Sequence, residues 1–235
     1  MAKVVVLASG GIKSAVAAAC SGADNELVFL HVHYGQQSAT AEREALRAFG
    51  GSYPSSRVLM LGLPHFMQLE KATLGAGDEL AGVADARSGG RGAPALPRTS
   101  LRGLMPIMLL VAVQTALRLG ASKVLTGLTQ FGDAAHLALP RAEGARGDRR
   151  EFLHSFTILV ESVLPERTSV AVEAPLIDLV DAEVVKLAKR FDIPFEKTWS
   201  CEQSGPKPCG TCSRCTARAD AFVKAGLVDP LGTGV

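Results

Sequence analysis

Apolar positions along the chain fall into short β-branched runs that alternate with longer, helically spaced ones. Positions 3–7 (Lys-Val-Val-Val-Leu) are a continuous apolar run closed by Ser9-Gly10-Gly11, the pattern of a parallel strand buried on both faces. Positions 14–20 are rich in alanine and favour helix. A second strand is predicted over 27–33 (Leu-Val-Phe-Leu-His-Val-His), a second helix over 39–49 and a third strand over 57–61. Strand, helix, strand, helix at this spacing predicts an α/β protein with a doubly wound, mainly parallel sheet. Further along, 104–119 reads as a buried helix ended by Gly120, and 123–126 as a strand running into Gly127. Helix follows over 151–163, strand over 170–174 and helix over 181–191. Two irregular stretches interrupt this order. One, 75–97, is rich in Gly, Ala and Pro, and its length marks a functional or mobile loop. The other, 129–150, carries Arg141, Arg146, Arg149 and Arg150. No internal repeat is visible.

Composition narrows the class without choosing a function. The 235 residues suit one large domain with a small appendage, and 47% apolar with 20% charged residues is ordinary for a globular core. A formal net charge of +2 is too small to argue for nucleic acid or a membrane. The N-terminal apolar run is broken by Gly10-Gly11 too early for a signal peptide. The longest other apolar run contains Pro106 and Gln114 and falls short of a membrane span. A cytoplasmic location is therefore expected, where five cysteines favour metal over disulfide.

Two motifs carry chemistry. Ser9-Gly10-Gly11-Ile12-Lys13-Ser14 lies between the first strand and the first helix. Glycines let the backbone turn tightly and bring N–H groups to an anion, and the helix N-terminus adds partial positive charge. Ser9 and Ser14 add hydroxyls, so the loop is expected to bind phosphate; a plain strand-to-helix turn is the bland alternative. Its spacing is not that of a Walker A loop. The second motif is Cys201, Cys209, Cys212 and Cys215, a C-x7-C-x2-C-x2-C run with turns supplied by Gly205, Pro206, Pro208 and Gly210. Four thiolates saturate a tetrahedral Zn²⁺ and leave no place for a reactive water, so one structural zinc per chain is expected. Cys20 stands apart and reads as a small core residue. His31, His33 and Tyr34-Gly35-Gln36 follow the second strand, at the carboxyl edge where open α/β sheets bind ligands. The arginines from 141 to 150 suit either an anionic substrate or a solvated loop.

Taken together these residues resemble the 7-cyano-7-deazaguanine synthase family of PP-loop ATP pyrophosphatases, with adenine nucleotide alpha-hydrolase-like architecture. The likeness runs nearly end to end. It rests on the Ser-Gly-Gly loop, Tyr34-Gly35-Gln36 with Glu42, Thr126-Gly127, Arg149-x-Glu151-Phe152 and Ala174-Pro175-Leu176-Ile177. Its most specific part is Thr198-Trp199-Ser200-Cys201, then Pro208-Cys209-Gly210-x-Cys212-x-x-Cys215, Arg218 and Ala221-Phe222. The resemblance implies an ATP-dependent carbon–nitrogen ligase of queuosine biosynthesis. Such an enzyme adenylates the carboxylate of 7-carboxy-7-deazaguanine, accepts ammonia to form an amide, and removes water in a second activation to give the nitrile. It also implies ATP and Mg²⁺ as cofactors, a homodimer, and two parts: a nucleotide-binding α/β domain over 1–180 and a helical zinc-knuckle region over 181–235. Ser9, Gly10, Gly11, Ser14, His31, Tyr34 and Gly127 would then surround the nucleotide, and Arg149 and Glu151 the deazaguanine. Lys13, Ser14 and Arg102 take the catalytic positions.

Several positions depart from the family pattern. Lys13 stands where the family loop carries an acid, and Asp181 where the family has a lysine after Pro-Leu-Ile-x-Leu-x. Both should lie at the carboxyl edge of the sheet, so the two changes either exchange the polarity of one ion pair or drifted independently. The family's Arg-Asn appears as Arg102-Gly103, its Tyr-Pro-Asp-Cys stretch before Arg149 is absent, and Glu202 follows Cys201 where an aromatic is usual. Three readings stay open: a carboxylate-activating enzyme, a catalytically degenerate relative that binds nucleotide or deazaguanine, and an enzyme passing activated deazaguanine to an amine on a macromolecule.

Overall fold

The computed structural model describes residues 1–22, 24–53, 55–63, 104–130, 149–165 and 168–232. In chain order it contains β1 (Lys3–Leu7), α1 (Ile12–Ala19), β2 (Glu26–His33), α2 (Ala39–Gly50) and β3 (Ser56–Gly62). It continues with α3 (Leu104–Leu119), β4 (Lys123–Thr126), α4 (Arg150–Val163), β5 (Ala171–Glu173) and α5 (Asp181–Arg190). A short 3-10 turn, Phe195–Lys197, and α6 (Ser213–Ala225) complete it. The five strands form one parallel sheet in the order β3-β2-β1-β4-β5. The chain winds outward from β1 to β3 and then returns to place β4 on the other side of β1. The doubly wound α/β fold is thus present, and its switch point lies between the carboxyl ends of β1 and β4. That is where such sheets leave a crevice for a ligand.

Strand alternation sends successive side chains to opposite faces. Val4, Val6, Leu27, Phe29 and Leu125 pack with α1, with Leu46 and Phe49 of α2, with Val184, Val185 and Ala188 of α5, and with Ala221 and Phe222 of α6. Val5, Val28, Leu30, Val32, Val124 and Val172 face Leu109, Ala112, Val113 and Ala116 of α3 and Phe156 and Val160 of α4. Three layers result, with the central strands covered on both sides. Val5, Val6, Val28 and Val124 are fully buried, which explains why these strands read as continuous apolar runs.

Observed boundaries match the predicted ones to within a residue or two. Cys20 departs from its expectation. It caps the C-terminus of α1 and is exposed, because the buried stripe of that helix, 14–18, ends before it. The 75–97 loop, Arg102, Arg141 and Arg146 lie outside the described residues. No described helix is long and apolar enough to cross a membrane.

Candidate nucleotide loop and metal centre

Ala8 extends β1 by donating its N–H to Leu30 O at 2.9 Å, and the chain then turns at Ser9-Gly10-Gly11. Gly10 has φ +78°, and a Cβ there would lie 2.5 Å from Glu42 O. Only glycine satisfies both the left-handed backbone and the close approach of α2. Gly11 caps α1 without a side chain, leaving the N–H groups of the first helical turn at the end of β1 without partners inside the helix. Ser9 is exposed, whereas Ser14 is buried and donates its hydroxyl to Gly11 O at 2.9 Å, bracing the turn from behind. Gly127, just past β4, completes the crevice. A Cβ on it would meet the Lys13 carbonyl carbon at 2.7 Å and oxygen at 2.8 Å, so the chain just past β4 and the start of α1 pack backbone against backbone.

The Lys13 ammonium bridges the crevice. Its Nζ lies 2.7 Å from Asp181 Oδ1 and donates to Thr129 Oγ1 at 2.9 Å. The two charge departures therefore touch, joining the first turn of α1 to the first turn of α5. Asp181 sits at a helix N-terminus, where a carboxylate is favoured, and Glu183 accepts the Val180 N–H at 2.9 Å in the same turn. Lys13→Asp should lower stability by placing two carboxylates together, and adding Asp181→Lys should restore it. A double-mutant cycle in urea is expected to give a coupling of about 0.5 to 3 kcal/mol. Additive single effects would show that the contact carries no energy.

Behind the loop lies a buried polar network. His31 Nδ1 is 3.3 Å from Ala8 O, and His31 Nε2 is 3.9 Å from Glu42 Oε2. Burial holds the imidazole below the ordinary histidine range, with the Glu42 carboxylate pulling the other way. Glu42 also accepts from Gln36 Nε2 at 3.0 Å and from Ser38 Oγ at 2.7 Å. Gln36 Oε1 in turn accepts the Tyr34 N–H at 2.9 Å. The residues after β2 are thereby folded onto the start of α2, next to Gly10.

On the far side of the crevice, Arg149 caps α4 and Glu151 opens it, exposed. Neighbouring Arg150 is the arginine that finds a partner, Asp178, which also accepts from Gln130 Nε2 at 2.8 Å. Gln130 N–H donates to Ile177 O at 2.9 Å, so 129–130 and 174–178 form one wall. Thr129, Gln130 and Asp178 went unnoticed in the sequence. Thr129 and Gln130 opened a stretch without periodicity, and Asp178 filled a variable place in Pro-Leu-Ile-x-Leu.

The four cysteines converge. Their sulfurs all lie within 4.8 Å of one another, with Cys201 and Cys215 buried. Sulfur pairs separate by 3.9 Å (Cys201–Cys212) and 4.0 Å (Cys209–Cys215). A tetrahedron with metal–sulfur bonds of about 2.3 Å has edges of about 3.8 Å, so the cluster is sized for one ion. Gln203 and Cys209 N–H groups reach Cys201 Sγ, each at 3.4 Å, and Cys212 N–H reaches Cys209 Sγ at 3.3 Å. Backbone N–H groups of Thr211 and Cys212 hold the Cys209 thiol down at about 6, while burial pushes the Cys201 and Cys215 thiols up. A cation among them would favour all four thiolates. The cysteine cluster touches the Ser-Gly-Gly turn: Trp199 N–H donates to Gly10 O at 2.9 Å, and the Trp199 indole donates to Cys201 O at 3.0 Å. Ser204 Oγ accepts the Ala41 N–H at 3.2 Å, tying the same segment to α2.

Comparison with known proteins agrees with this geometry. The chain is similar to the 7-cyano-7-deazaguanine synthase of Chlorobium phaeobacteroides, 29% identical over 97% of this chain and 96% of that one. It is also similar to that of Methanothrix thermoacetophila, 30% identical over 98% of each. Among solved structures, the U34-tRNA thiolase NcsA of Methanococcus maripaludis shares the fold with a TM-score of 0.50, at 15% identity over 99% of this chain and 68% of that one. The model of the queuosine biosynthesis protein QueC family matches residues 3–226. The chain, with its Ser-Gly-Gly turn at the switch point and its four-cysteine cluster, belongs to that family.

Proposed function

We propose that the chain activates the carboxylate of 7-carboxy-7-deazaguanine with ATP and converts it, with ammonia, toward 7-cyano-7-deazaguanine. The observation that carries this reading is near full-length similarity to 7-cyano-7-deazaguanine synthases, with the Ser-Gly-Gly turn set at the switch point. A carboxylate oxygen attacks the α-phosphorus and expels pyrophosphate, giving an acyl-adenylate. Ammonia adds to the acyl carbon, AMP leaves and a proton is lost, giving the amide. A second ATP adenylates the amide oxygen, and loss of AMP and a proton yields the nitrile. The N–H groups of Gly10, Gly11 and the first turn of α1 stabilise charge growing on the departing pyrophosphate. Ser9, Ser14 and Gly127 shape that cradle, and His31 and Tyr34 border it on the β2 side. In this reading Arg149 and Glu151 face the deazaguanine, and Lys13, Ser14 and Arg102 keep the catalytic positions that the family resemblance implies. Zinc fills the four-cysteine centre in a structural role, since four sulfurs complete its tetrahedron. The same reading includes a cytoplasmic homodimer, with 1–180 forming the nucleotide domain and 181–235 the zinc-bearing region.

Lys13 in the place of the family acid favours a second reading, a relative that binds nucleotide or deazaguanine without turnover or hands the activated group to an amine on a macromolecule. Pyrophosphate release on adding 7-carboxy-7-deazaguanine, ATP and ammonia is the expected result. Tight binding of both ligands without pyrophosphate would select the binding-only reading. Pyrophosphate release with a deazaguanine adduct on an added protein, seen by mass spectrometry, would select the transfer reading.

A further inference from the structure

The proposed chemistry ordinarily sets a divalent cation beside the phosphates, and magnesium takes its protein ligands from one or two carboxylates in an octahedron of oxygens. The phosphate-loop side of this crevice does not fit that ion. The carboxylate brought to Lys13 is Asp181, and its Oδ1 lies 2.7 Å from the ammonium. A dication on that carboxylate would stand against a fixed positive charge, with little water between them because the Asp181 side chain is 17% exposed.

The site instead holds a cation of its own. An ammonium has three donors. Lys13 Nζ donates one to Thr129 Oγ1 and pairs with the Asp181 carboxylate by charge at 2.7 Å, while a third of its side chain remains exposed. The N-terminus of α5 offsets part of the Asp181 charge, so the ammonium is not cancelled by its partner. Lysine is a point charge on a flexible stem that suits a phosphate oxygen, and this one springs from the first turn of α1, beside the N–H groups of the loop. We infer that the Lys13 ammonium supplies the counter-charge a divalent cation would otherwise bring to this loop, so that nucleotide binds here without Mg²⁺. The inference rests on the nucleotide reading of the loop.

Calorimetric titration of the metal-loaded full chain with α,β-methylene-ATP, with and without added Mg²⁺, tests it. Divalent ions are removed from the buffer with a chelating resin, because soluble EDTA would strip the cysteine centre. The wild-type Kd should change by less than about threefold between the two conditions. Lys13→Asp with Asp181→Lys should make binding Mg²⁺-dependent, with at least about tenfold tightening when the ion is added. A wild-type chain that binds about tenfold or more tightly only with Mg²⁺ overturns the inference and leaves the nucleotide reading standing. No binding in either condition removes the nucleotide reading, and the inference with it. Should the exchanged variant fail to fold, the wild-type pair of titrations decides alone.

Discussion

Cys212→Ser is expected to leave a chain that purifies without metal and is largely insoluble, where the parent is expected to carry one zinc per chain. Cys212 contributes a sulfur from the cap of α6, and its own N–H supports Cys209, so the substitution removes a ligand and loosens a second. Apparent zinc-binding free energies in small structural sites are about 10–16 kcal/mol, and a whole domain is stable by only about 5–15 kcal/mol. Metal loss is therefore comparable to the whole stability of the fold, and the expected outcome is unfolding of the C-terminal region rather than a modest drop in Tm. Trp199 is the single tryptophan, and its indole also bonds Gln203 O at 3.1 Å. Its fluorescence follows metal removal at the centre itself. Elemental analysis showing no metal beside an unchanged melting curve would sink the claim.

Arg218→Met costs about 3–5 kcal/mol of stability, as expected when one partner of a buried ion pair is removed. The Arg218 side chain is 2% exposed and that of Asp229 6%. The guanidinium grips Asp229 with two bonds, of 2.8 and 2.9 Å. It also donates to Thr198 Oγ1 at 2.9 Å, Ser200 Oγ at 3.3 Å and Phe195 O at 3.2 Å, and lies 5.2 Å from the Phe222 ring centre. One side chain thus fastens α6, the strand-like segment leading to Cys201 and the chain beyond α6. Methionine keeps much of the stem packing and removes both guanidinium bonds to Asp229, whose Oδ1 still accepts the Leu231 N–H at 3.1 Å. Adding Asp229→Leu should recover much of the loss, since replacing both members of a buried pair by apolar groups is often near neutral. Urea unfolding of the single and double variants measures both quantities. A single-variant loss below about 1 kcal/mol would show a pair relaxed by water rather than buried.

The sheet was legible because its strands are buried on both faces and need uninterrupted β-branched runs, as 3–7 and 27–33 supply. The metal centre was legible because ligand spacing is local. Contact between Lys13 and Asp181 was one of two alternatives left open: both follow strands of one parallel sheet, and all such strands end at the same edge, but independent drift was the other reading. What escaped were partners fixed by tertiary approach. Thr129 lies 116 residues from Lys13, and no periodicity marks a hydroxyl that waits for an ammonium. Arg218 was recognised as a motif residue, yet nothing local pointed to Asp229, the single charged residue after α6. Helix α6 was anticipated only as part of a helical region, because its sequence, SRCTARADAFVKA, has a narrow apolar stripe. Cys20 was misplaced since alanine-rich propensity says where a helix runs and not where its buried face stops.

The two glycines at the crevice have a consequence for how change at this site is read across relatives. Gly10 is forced by its backbone angle and by Glu42 O, and Gly127 by the backbone of Lys13. Neither constraint involves a ligand. Selection for abundance alone, acting on a chain that never meets ATP, keeps glycine at both positions, because any larger residue must push a helix off the sheet. Exposed Ser9 and partly exposed Lys13 carry no such steric obligation. Loss of turnover in a lineage would therefore be written first at 9 and 13, while the glycines that make the loop recognisable outlast the chemistry.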